Sequence, residues 1–116
     1  MICVRLYFKN YNLYRFRVEG HANYSRHGSD IVCAGVSTLV LTTINSIDAF
    51  LDETISINEQ DEKKGIIDCT FLERENGVYN AQTTILLKSM VLGLESIEQK
   101  YGEYISIKKL KPKDFR

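Results

Sequence analysis

Two histidines, three glycines, an aspartate and one cysteine crowd into Gly20–Ser37, which reads GHANYSRHGSDIVCAGVS. A cysteine thiolate with a histidine base is the pair that forms and breaks thioesters in covalent acyl transfer. The cysteine here is Cys33, and the candidate bases are His21 and His27. Taken alone, Ile31-Val32-Cys33-Ala34 is an apolar run, and unpaired cysteine is among the residues most often buried as a plain packing group.

Position changes the balance. Ser29 and Asp30 are good helix N-cap residues immediately before an apolar helical pattern. With Asp30 as cap, Cys33 is expected at the third helical position, where unpaired backbone amides and the positive end of the helix dipole favour a thiolate and can receive an oxyanion. His21 directly follows a predicted strand that ends at Gly20, so it is the better-fixed base. His27 sits between Arg26 and Gly28 in turn-prone chain and reads as a solvated loop residue. Asp30 either caps the helix or orients the His21 imidazolium. Ser37, one turn beyond Cys33, either hydrogen-bonds near the thiol or bonds back to its own helix. Gly20 and Gly28 bracket the segment between histidine and cysteine, as a mobile lid or an ordinary tight connection would both require.

These residues need a frame to hold them. Residues 2–8 alternate apolar and polar, residues 13–19 do so again, and a turn at Tyr11-Asn12 makes the two a hairpin. Apolar residues from Val32 to Leu51 recur at spacings of three and four, which predicts a well-buried helix. Thr54–Gln60 and Lys64–Leu72 read as strands, and residues 74–77 as a loop. A second helix is expected from about Tyr79 to Lys100, with Ala81, Ile85, Leu86, Met90, Leu92, Gly93, Leu94 and Ile97 as its apolar members, and a last strand at Tyr104–Leu110. The expected fold is α+β, with order β-β-α-β-β-α-β: a small antiparallel or mixed sheet packed against two helices, forming a single domain over 1–116.

The bulk properties are those of a soluble globule. The chain has 116 residues, 44% hydrophobic and 26% charged, with 15 basic residues balancing 15 acidic ones. Zero net charge argues against a general nucleic-acid binder, and no apolar stretch is read as approaching the roughly 20 residues of a membrane span. The N-terminus lacks the pattern of a signal peptide, which points to the cytosol. Three widely spaced cysteines give neither a disulfide framework nor paired metal ligands. No cofactor or metal is expected, and Cys3 and Cys69 are taken as packing residues within strands. The basic run Lys108–Lys113 reads as a solvated terminal strand and tail, with weak RNA contact as the sharper alternative.

The combination Gly20-His21-Ala22, Gly28, Asp30-Ile31-Val32-Cys33-Ala34 and Val36-Ser37 resembles the signature of the bacterial ribosomal-processing cysteine proteases, the Prp family. That resemblance implies a small cytoplasmic enzyme, a homodimer, that removes the N-terminal extension of the twenty-seventh protein of the large ribosomal subunit beside an aromatic residue. It matches the family's nucleophile to Cys33, its histidine to His21, its aspartate to Asp30 and its serine to Ser37. It also makes the segment containing Gly20, Ala22 and Gly28 a substrate loop. No nucleic-acid or membrane partner is implied. The alternative left open is a non-catalytic ribosome-assembly or peptide-binding module that uses the same cleft; a third reading, a metal-dependent hydrolase, would lose activity with chelators.

Overall fold

The computed structural model describes residues 1–20 and 27–112, and of residues 27–30 the backbone only. Strands β1 (Ile2–Lys9) and β2 (Asn12–Glu19) are followed by helix α1 (His27–Phe50), strands β3 (Ile55–Asp61) and β4 (Ile66–Phe71), the single turn α2 (Leu72–Glu75), helix α3 (Ala81–Tyr101) and strand β5 (Ile105–Leu110). The five strands form one mixed sheet in the order β3-β4-β2-β1-β5. β1 runs antiparallel to β2 and parallel to β5. The α+β class and the expected succession of strands and long helices hold, with α2 as an addition where a loop was expected.

Alternation produces the sheet's two faces. Ile2, Val4, Leu6, Phe16 and Val18 point inward and are buried. The β1–β2 register slips between Tyr7 and Phe8, and this bulge lets both Leu13 and Tyr14 be buried in succession. Cys69 is fully buried, as expected. Cys3 is not a packing residue: it is exposed, because alternation puts it on the outer face opposite Ile2 and Val4.

Both long helices cover the inner face. On α1 the buried stripe is Val32, Val36, Val40, Ile44 and Ile47, at steps of three and four. The helix is less enclosed than expected, with Ile31, Leu41 and Phe50 exposed. Its Ile31–Phe50 segment, 20 residues, is long and apolar enough to cross a membrane by length and composition, which corrects the expectation that no stretch approaches that limit. Here its inward stripe is part of the sheet's core.

On α3 the buried residues are Thr83, Leu87, Met90 and Leu94. Ile85 and Leu92, expected inside, are exposed; a one-residue rotation of the apolar face is hard to read where apolar residues occur on every side. The helix begins at Ala81 because the Asn80 side chain accepts from the amides of Gln82 and Thr83. At the crossing of α1 and α3, a Cβ on Gly93 would stand 2.7 Å from Leu39 Cδ2, so a larger residue there would require the Leu39 side chain to move.

The outer face is held by charge. Asp68 is 1% exposed and accepts four hydrogen bonds: two from Arg15 (2.7 and 3.0 Å), one from Arg17 (3.0 Å) and one from Asn58 (2.9 Å). Burial alone would raise its pKa, but the hydrogen bonds from Arg15, Asn58 and Arg17 outweigh it and hold the carboxyl below its ordinary value. Folding therefore favours the ionised form. That stabilisation is present above the ordinary carboxylate range and is lost as pH falls through the depressed value. Asp68→Asn is expected to destabilise the fold by about 2 kcal/mol at neutral pH, and urea unfolding should show the difference shrinking below about pH 4.

Candidate active site

The start of α1 lies beside the ends of β1 and β2 and the tip of the β3–β4 hairpin. Between them is a cleft of about 320 Å³. Its floor is apolar, with Ile2, Val18, Val36 and Val40 from the core, and Cys33, Ser37 and Gly20 stand at its walls. Cys33 is half-buried and Ser37 exposed. Their places follow from the α1 stripe: each is next in sequence to a buried valine, so each lies at the margin of the packed face.

Gly20 closes the strand at the cleft's other wall. Its φ is +104°, and a Cβ there would overlap the Met1 carbonyl oxygen. Glycine alone satisfies both conditions.

Part of the expected site is relocated. α1 begins at His27, so Gly28 and Asp30 belong to the helix backbone rather than to a loop and a cap. Glycine, serine and aspartate cost little in a first turn, whose amides have no intrahelical partners in any case, and an acidic residue there suits the dipole. Cys33 is thus the seventh helical residue, not the third. Its own amide lies beyond the unpaired amides of the first turn, which begins at His27. His21 and Ala22 lie outside the described residues, as do the side chains of His27 and Asp30.

The opposite wall was not anticipated. Gln60, Asp61, Glu62, Gly65, Ile66 and Ile67 line the cleft from β3, β4 and their turn. Nothing local in those residues announces a site; the sheet order brings the hairpin there. From the cleft a furrow of about 270 Å³ continues between α1 and edge strand β3, sharing Leu41, Gln60 and Ile67 and adding Ile44, Ile55 and Ile57. With Asn45, Asp48 and Gln60 among its lining, the furrow mixes polar and apolar side chains, and a trough beside a strand edge accommodates an extended peptide. Among the described residues, no three His, Cys, Asp or Glu side chains gather closely enough to hold a metal ion.

The sequence pattern of the family described as cysteine protease Prp matches residues 1–106. The chain belongs to this family. It is a cysteine protease, and the non-catalytic alternative falls away. The ribosomal processing cysteine protease Prp of Staphylococcus aureus is 31% identical over 90 residues, covering 78% of this chain and 80% of that protein. The Prp of Bacillus subtilis is 30% identical over 94 residues, covering 79% and 81%. The crystal structure of the S. aureus protease with a substrate peptide superposes with a TM-score of 0.83 at 26% identity, covering 95% of this chain and 100% of that one. Its complex with a covalently linked product peptide gives 0.82 at 27% identity over the same shares.

Gly20→Ala is expected to cost about 2 kcal/mol or more, because positive φ and a backbone overlap act together. Thermal unfolding measures the loss.

Proposed function

We propose that this protease removes the N-terminal extension of the twenty-seventh large-subunit ribosomal protein, with Cys33 as nucleophile and His21 as base. The observation that carries this reading is the cleft itself. It places a half-buried cysteine and the strand end at Gly20 on the walls of one apolar trough, and chain continuity attaches His21 directly to Gly20. The relatives' names, ribosomal processing cysteine protease, support the substrate class, and the S. aureus complexes with substrate and product peptides support a peptide in the cleft.

In the proposed reaction the imidazole of His21 takes the thiol proton. The Cys33 sulfur then attacks the scissile carbonyl carbon, and its oxygen becomes an oxyanion. Because the Cys33 amide lies within the helical ladder, the oxyanion's donors come from chain upstream of it, with the unpaired leading amides of α1 as candidates. The imidazolium returns its proton to the leaving amine. A water, deprotonated by the same histidine, cleaves the thioester and frees the thiol. Since the helix starts before Asp30, capping is no longer that residue's task, and its proposed role is to orient the imidazolium. Ser37, exposed at the cleft wall, is proposed to hydrogen-bond beside the thiol. Gly20, Ala22 and Gly28 flank the substrate-facing segment. The working form is proposed to be a cytoplasmic homodimer.

Incubation with a peptide spanning the extension and its cleavage point, followed by mass spectrometry, tests the assignment. Cys33→Ala and His21→Ala should each lower cleavage by about a thousandfold or more, while His27→Ala keeps most of it; full activity in Cys33→Ala would sink the mechanism. Alkylation gives a second measure. Iodoacetamide near neutral pH should label Cys33 faster than the exposed Cys3. Cys69 should stay unmodified in the folded protein, since it is fully buried and burial pushes its thiol up to about 12.

A further inference from the structure

The end of the sheet away from the cleft carries a feature that proteolysis does not use. Lys9 pairs with Asn12, so the β1–β2 turn consists of two residues, Asn10 and Tyr11, one position earlier than the expected Tyr11-Asn12. Both have positive φ, +50° and +64°. This is the geometry of a type I′ turn, whose second position favours glycine. A tyrosine held there is strained, and burial does not compensate, because Tyr11 is 92% exposed.

Its ring stands between two hollows. One, about 390 Å³, is bounded by Phe8, Lys109, Lys111 and Pro112. The other, about 380 Å³, reaches along α3 to Lys88, Leu92 and Glu95. Among the described residues, three lysines line these hollows with the exposed aromatic, and Glu95, which lies beside them, pairs with Lys109 at 3.1 Å. At the other end of the molecule, Asp61 and Glu62 line the cleft. Net charge is zero only as a sum over the chain.

We propose that this hairpin end binds single-stranded RNA, with a base stacked on Tyr11 and phosphates met by Lys88, Lys109 and Lys111. An acidic peptide would satisfy the lysines equally but would make no use of a flat ring open on the surface, whereas every base has a face to stack. The strained turn is then retained because it projects that ring.

Fluorescence anisotropy of a labelled RNA strand of about twelve nucleotides tests this on the full chain. Neutralising three phosphates predicts a log–log salt slope of roughly −2, so affinity should fall roughly 20-fold between 50 and 200 mM salt. Tyr11→Gly should raise the melting temperature by a few degrees as strain is relieved, yet bind RNA about tenfold more weakly and cleave a short peptide at the parent rate. The double variant Lys109→Gln/Lys111→Gln should flatten the slope to about −0.7. Absence of salt-dependent binding, unchanged affinity in Tyr11→Gly, or an acidic peptide that competes as well as RNA would each overturn the proposal.

Discussion

The cleft depends on one packing contact: the seating of the Val32, Val36, Val40, Ile44 and Ile47 stripe of α1 on the inner face of the sheet. Burying five such side chains is worth about 1.5–3 kcal/mol each before entropy is set against it. The stripe fixes the helix's rotation as well as its position. A helix turned by one residue would carry Cys33 into the core or out to solvent. Held as it is, α1 presents Cys33 at the rim, where a thiol is close to apolar floor and still open to a substrate.

The same seating explains why the site draws on distant parts of the chain. β1 and β2 meet α1 at their Ile2 and Gly20 ends, and the order β3-β4-β2 brings the β3–β4 turn to the opposite side. Gly20 is the tightest joint in this arrangement, since its backbone touches that of Met1. Among the described residues, the sheet's outer face has no second layer of helices. It is held instead by Asp68 and the arginines and asparagine that hydrogen-bond it, so the sheet beneath the cleft is braced partly by charge on its reverse side.

Local signals in the chain carried the elements well. Strict alternation in residues 2–8 and three-to-four spacing from Val32 onward are properties of single segments, and both became the elements they imply. The strand ending before Gly20 was legible locally, and Gly20 and Cys33 do line one cleft. What failed were features decided by tertiary packing. The inward face of α3 was misread because Ile85 and Leu92 are as apolar as Leu87, and only the contact with α1 and the sheet distinguishes them. The start of α1 was placed late because serine and aspartate serve a first turn as readily as a cap. The wall formed by Asp61, Glu62 and Ile66 was invisible, since its role comes from sheet order alone.

Net charge misleads for the same reason. A sum of zero describes the chain and not its surface, and charge that alternates along a sequence can still segregate in space. Along β1, the Ile2 end borders a cleft lined by Asp61 and Glu62, while the Phe8 end borders a hollow lined by Lys109 and Lys111. Strands rise about 3.3 Å per residue, so these ends lie about 20 Å apart, more than twice the screening length of about 8 Å at physiological salt. Each end therefore presents its own field to an approaching partner. A peptide seated in the cleft and an anion at the hairpin turn would not oppose one another, and one small domain can hold both.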